Sequence, residues 1–118
     1  MKPAYTYKAF CSRVIDGDTI VCDWVDVGFH IKTTDLKFRL FGINAPETRT
    51  KDKKEKEAGL KAKQWLKLEI EGKEIIIKTY RDKQQDAFGR YLVEIWLDGV
   101  NINDLLVQEG LAVYKQYK

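Results

Sequence analysis

The chain is poor in the residues that build zinc sites and disulfide frameworks. It has two cysteines, Cys11 and Cys22, and one histidine, His30. That is too few for a Cys/His zinc site. Long apolar runs are missing as well. "EIIIK" and "YLVEIWL" are short and broken by charge, and none approaches the roughly 18–20 residues of a membrane-spanning helix. Proline occurs only twice in 118 residues, with no internal repeat, linker or low-complexity tract, so a single domain over 1–118 is expected. Neither sign of charge dominates. Lys and Arg total 21 against 18 Asp and Glu, a net charge of +3, which permits a polyanionic partner without requiring one. The opening "MKPAYTYKAF" has no apolar h-region, so no signal peptide is read from it, and a secreted mature form and a cytoplasmic protein both stay open. Nothing points to a membrane or an obligate protein partner, and a monomer is expected.

What the sequence does have is strand patterning. Tyr5 to Ile15 is rich in aromatics, Val, Ile and Thr. Asp16-Gly17 then reads as a hairpin turn, and "TIVCDWVDV" as the second strand. If Ile15 and Asp18 close a two-residue loop, Cys11 falls opposite Cys22. The pair is then either a cross-strand disulfide or two small apolar side chains on the barrel face, and an extra bulge residue would break that register. Thr33-Thr34-Asp35 reads as a polar turn, ending a connection that begins at Val27. "LKFRLFGI" follows as a third strand.

"NAPETRTKDKKEK" reads as a charged loop. Ala58, Ala62, Trp65 and Leu66 recur at helical spacing, which predicts a helix with one buried face that ends at Gly72. "KEIIIKTY" and "RYLVEIWLDG" are a fourth and a fifth strand around a turn, "RDKQQDAFG". Asn101 can cap a short helix that Gly110 closes. The order β-β-β-α-β-β-α predicts a mainly β, α+β architecture. It is that of an OB-fold, a five-stranded Greek-key barrel with two to three helices.

Three clusters carry possible chemistry: Asp16-Gly17-Asp18-Thr19, "RLFGINAPE" from Arg39 to Glu47, and "DAFGR" ending at Arg90. Singly, each has a plain explanation. Asp16 is an ordinary residue before a turn glycine, Asp18 a solvated strand start, Arg39 a side chain of an alternating strand. Together they form a set. Asp18 and Asn44 are hard oxygen donors at strand ends, suited to Ca²⁺ or Mg²⁺. Two arginines suit a phosphate and its transition state. Glu47 is a carboxylate that can orient or deprotonate water.

The pieces "VIDGDT", "FRLFGINAPET", "EAGLKAKQWL", "DAFGRYLVEIWLDG" and "NDLLVQEGLA" resemble the staphylococcal nuclease (thermonuclease) family, in family order and over nearly the whole chain. The resemblance implies Ca²⁺-dependent hydrolysis of DNA and RNA that leaves 5′-hydroxyl and 3′-phosphate ends. It places the catalytic trio on Arg39, Glu47 and Arg90. It places the metal ligands on Asp18, Asn44 and the backbone carbonyl of Ala45, and substrate contacts on Phe88 and Tyr114. Asn44 departs from the aspartate of many members and removes one negative charge from the metal shell. Phe88 has no phenol hydroxyl. The rival reading is a non-catalytic OB-fold module that binds nucleic acid or protein; retention of all three trio residues favours the enzyme.

Overall fold

A computed structural model describes residues 4–28, 32–80 and 91–115. The stretch "RDKQQDAFG", expected as a turn and containing Phe88, and the residues Arg90 and His30 lie outside them. Five strands form the barrel: β1 (Ala4–Asp16), β2 (Thr19–Asp26), β3 (Lys32–Leu40), β5 (Lys73–Tyr80) and β6 (Tyr91–Leu97). Two-residue strands β4 (Ile43–Asn44), β7 (Val100–Asn101) and β8 (Val113–Tyr114) flank them, with helices α1 (Lys53–Ile70) and α2 (Ile102–Gln108). The main sheet runs β3-β2-β1-β5-β6-β7, and a parallel pairing of β3 with β6 closes it. This is the mainly β barrel with two helices that the sequence predicts.

Alternation builds the core. In the row Val14–Ile20–Phe38, which crosses β1, β2 and β3, every side chain is buried. Ile75 and Ile77 of β5 and Val93 and Ile95 of β6 meet it from the other side of the barrel. α1 adds Leu66 and Ile70 to the same core. Its helical start is set by Asp52, whose side chain accepts from the backbone N–H groups of Lys54 and Glu55 at 3.0 and 3.2 Å. The charged loop therefore ends at Asp52, earlier than its composition suggests, because an N-cap carboxylate satisfies the first-turn donors. Gly72, at φ 77°, turns the chain out of α1, a left-handed conformation that glycine adopts without strain. Asn101 caps α2 by accepting from the Asp104 N–H at 3.1 Å.

Two expectations about strand ends are corrected. Thr33 and Thr34 are not a turn. They pair with Val25 and Trp24 inside β3, as β-branched residues favour, and the pairing runs out to Asp26 and Lys32. The tail adds a short pairing of its own, Tyr114 and Val113 with Ile43 and Asn44. The hairpin loop, too, differs: it is Gly17-Asp18, closed by Asp16 and Thr19, so Asp18 is a turn residue and not the first residue of a strand.

Cys11 does face Cys22, but by another route. Ile15 and Ser12 are extra residues in β1 and Asp23 is extra in β2. The first two slips carry the register from the Asp16–Thr19 closure to the cysteine pair. Both thiols are free and buried. Burial pushes each from its usual 9.0 up to about 12, and the Glu71 carboxylate adds to the effect at Cys11. The sign of the consequence is fixed. In the unfolded chain a thiol loses its proton near pH 9, whereas the folded barrel holds it to about pH 12. Stability that is fully present below pH 9 is therefore lost between pH 9 and 12, where the unfolded state binds fewer protons. Urea unfolding of the wild type and of a Cys11→Ala/Cys22→Ala variant is expected to show a shallower alkaline decline in the variant. Equal slopes in the two proteins would contradict it.

Candidate active site

The barrel register puts Arg39 directly opposite Thr19, the residue after Asp18. The Leu40 N–H donates to the Asp18 carbonyl at 2.8 Å, which locks the turn to β3. Asp18 is held at both carboxylate oxygens. Oδ1 accepts from the Thr19 hydroxyl at 3.2 Å, and Oδ2 accepts from the Ala45 N–H at 2.8 Å. Arg39 Nη1 lies 3.4 Å from the same Oδ2. Nη1 also donates to the Leu40 carbonyl at 3.1 Å, and Nη2 donates to Asn44 Oδ1. Arg39 is only 6% exposed. It does not point to water as an outward residue of an alternating strand would. A nearly buried guanidinium needs partners, and here they are the two oxygen-bearing side chains that the sequence singles out.

Glu47 sits beyond them on an exposed loop whose backbone is held from three sides. Its N–H donates to Glu55 Oε2 of α1 at 3.3 Å. The neighbouring Thr48 hydroxyl donates to Asp16 Oδ1 at 2.6 Å, which ties the loop to the β1–β2 hairpin. From below, α1 presents Gly59. A Cβ at Gly59 would lie 2.7 Å from the Glu47 carbonyl oxygen and 2.8 Å from that of Pro46. Gly17 plays the matching part in the hairpin, where a Cβ would meet the Cβ atoms of Ala62 and Ala45 at 2.6 and 2.8 Å.

These contacts went unread in the sequence. Asp16, taken there for a turn residue, also anchors Thr48. Gly59 did carry a signal: a glycine inside a helix costs about 1 kcal/mol relative to alanine, so something must require it. Gly59→Ala is accordingly expected to lower stability by about 1–3 kcal/mol, the usual cost of overpacking, despite the helix-propensity gain. Denaturant unfolding measures this, and a stabilised variant would show that the Glu47 loop is free to move away.

Asp18, Arg39, Asn44, Ala45 and Glu47 all line one cavity of about 570 Å³, with Asp16, Thr48 and Lys115 among their neighbours. Five of the eight residues singled out for the site thus converge. Tyr114 does not line this cavity. It is 60% exposed, and its hydroxyl donates to Asp104 at 3.3 Å. Phe88 and Arg90 lie outside the described residues. Among the described residues no group of three or more His, Cys, Asp and Glu side chains is placed to hold a metal. The ligands assigned from the sequence supply one carboxylate (Asp18), one amide (Asn44) and the Ala45 carbonyl, and the carboxylates of Asp16, Glu47 and Glu55 line the same cavity.

A closed, mainly β barrel with a polar cavity built from the first hairpin, the end of β3 and the loop before α1 is an OB-fold with a site at one place on its surface. Comparison with known proteins agrees. The profile of the family described as Staphylococcal nuclease homologue matches residues 37–118, and the chain belongs to that family. It is 31% identical over 113 residues to a thermonuclease of Staphylococcus hyicus, covering 96% of this chain and 61% of that protein. A thermonuclease of Staphylococcus intermedius is 32% identical over 105 residues, 89% of this chain and 58% of that one. The endonuclease YhcR of Bacillus subtilis is 30% identical over 115 residues, 90% of this chain but only 9% of its own length. The chain thus spans about three fifths of the two thermonucleases.

Proposed function

We propose that the chain is a Ca²⁺-dependent nuclease that hydrolyses phosphodiester bonds of DNA and RNA and leaves 5′-hydroxyl and 3′-phosphate ends. The observation that carries this reading is the convergence of Asp18, Arg39, Asn44, Ala45 and Glu47 on one cavity. The donor set fits a hard divalent cation. All three donors are oxygens, and the Asp18 and Asn44 oxygens both reach a single guanidinium, so they lie close together. Asp18, Asn44 and the Ala45 carbonyl would hold the ion. Bound there, Ca²⁺ supplies positive charge that polarises a phosphate oxygen and makes a nearby water more acidic.

The rest falls to the chain's own side chains. A guanidinium has five N–H donors, and the Leu40, Asp18 and Asn44 contacts engage three of those of Arg39. The others can take a phosphate oxygen, more strongly as its charge grows in the transition state. Arg90, assigned by its place in the family motif, is the second such donor. Glu47, on the cavity rim, orients the attacking water or takes its proton. The water oxygen bonds to phosphorus, the bond from phosphorus to the 5′ oxygen breaks, and the departing oxygen leaves as a hydroxyl after gaining a proton.

Circular single-stranded DNA incubated with Ca²⁺ is expected to be cut, and excess chelator is expected to stop the reaction. Undiminished cutting in chelator would reject the cation's role. Asn44→Asp restores a negative charge to the ligand set and is expected to lower the Ca²⁺ concentration needed for half-maximal rate. An unchanged or higher requirement would remove Asn44 from that set.

A further inference from the structure

Beside the active-site cavity lies a second one of about 360 Å³, lined in part by Arg13, Lys37, Arg49 and Lys63. The four cations come from four places in the chain. Arg13 and Lys37 both flank Val21 in one cross-strand row of β1, β2 and β3. That row lies on the face opposite the buried Val14–Ile20–Phe38 row, since neighbouring residues of a strand alternate faces. Lys63 extends from α1 next to the buried Ala62, and Arg49 follows Thr48.

None of the four has a salt bridge to a described carboxylate. The one acidic residue of the lining, Asp16, accepts the Thr48 hydroxyl. Four positive groups around one small cavity repel each other, and an anion between them relieves that repulsion. Asp16, Thr48 and Arg49 line both cavities, so a strand that leaves the first passes directly into the second.

We infer that this second cavity is a phosphate-binding subsite, which holds the sugar–phosphate backbone of a single nucleic-acid strand one or more nucleotides from the bond that is cut. The assignment rests on the nuclease reading for the identity of the polyanion. It adds a site that the catalytic residues do not need for a single phosphodiester.

The test is equilibrium binding of a fluorescent single-stranded oligodeoxynucleotide in chelator, titrated at several salt concentrations. Each phosphate contact on a single strand contributes about 0.7 to the slope of log affinity against log salt. Lys37→Gln/Lys63→Gln is expected to reduce that slope by about 1.4, two contacts' worth. Lys61→Gln/Lys73→Gln removes the same charge outside the cavity and is expected to change it by less than half as much. Cleavage of a dinucleotide with one phosphodiester, measured with Ca²⁺, is expected to be the same in both variants as in the wild type. An unchanged slope in the first variant, or an equal change in the second, overturns the subsite. Binding is read without turnover, so the two readings fail separately. A protein that binds with the expected slopes but never cuts keeps the subsite and loses the nuclease. One that cuts with an unaltered slope does the reverse.

Discussion

Arg39→Ala is expected to lower the rate of DNA cleavage by about 10²–10³-fold, the usual cost of deleting one donor aimed at the transition state. The loss should appear in single-turnover rates at saturating DNA, because the interaction strengthens only as charge develops on the phosphate. Arg39→Lys should recover little. An ammonium is one compact charge and cannot span Asp18 and Asn44 as the planar fork does. The fold should survive both changes. Asp18 keeps the Thr19 hydroxyl and the Ala45 N–H as donors, so the stability loss is expected to stay within about 1–3 kcal/mol. Single-turnover rates and thermal unfolding, run on the same preparations, separate the two effects. A variant within a few-fold of wild-type rate would show that Arg39 only holds the site together.

Asn103→Leu is expected to be the most destabilising of these substitutions, by about 3–5 kcal/mol, although it conserves size and removes no charge. Asn103 is 2% exposed and uses both ends of its amide. Its Oδ1 accepts from the Ile95 N–H at 3.0 Å. Its Nδ2 donates to the carbonyls of Phe41 and Val93 at 2.9 and 3.1 Å. Leucine takes that partner from the Ile95 donor, at a buried bond, and from the Phe41 acceptor, at a part-buried one, and each such loss costs about 1–3 kcal/mol. The Val93 carbonyl suffers less because it also accepts from the Phe41 N–H at 2.8 Å. The melting temperature should drop by roughly 10–20 °C. The damage also reaches the site, since Phe41 starts the turn that leads through Gly42 to Asn44. A drop of only a few degrees would mean that the three backbone groups find new partners.

Those two residues mark what can be read from the sequence. Arg39 was legible because an arginine five residues ahead of an oxygen donor, with Pro and Glu after it, is a pattern in the order of the chain. Its partners also follow from strand order once the hairpin is placed. Asn103 lies in the matched stretch "NDLLVQEGLA", yet its three bonds reach Phe41, Val93 and Ile95, contacts that no local pattern encodes. The same holds for Gly59 beneath the Glu47 backbone and for the Thr48–Asp16 tie, which join segments far apart in sequence.

The barrel itself was legible because strand alternation and helix spacing are local. The hairpin shows the limit. Asp16-Gly17 signals a turn, but the loop is Gly17-Asp18. Three single-residue slips then set the register, and a bulge leaves no reliable mark on composition. The opposition of Cys11 and Cys22 came out as expected only because the first two slips accumulate to the same pairing.

The charge pattern of the second cavity was hidden for the same reason. Arg13, Lys37, Arg49 and Lys63 are unremarkable basic residues until the three-strand row and the helix bring them together. The lysines before and in the first turn of α1, at positions 51, 53, 54 and 56, form the more visible basic run. None of them lines either cavity.

The central claim is that the Asp18–Arg39–Asn44–Glu47 constellation cuts phosphodiester bonds. Its most direct test is the initial rate of single-stranded DNA cleavage with Ca²⁺ present, for the wild type and Glu47→Gln side by side. Glutamine keeps the size of Glu47 and removes its capacity to accept a proton. The wild type is expected to cleave, leaving 3′-phosphate ends, and Glu47→Gln to be slower by at least about 10²-fold with an unchanged melting temperature. Equal rates in the two proteins, or no cleavage by the wild type at any Ca²⁺ concentration, would contradict it.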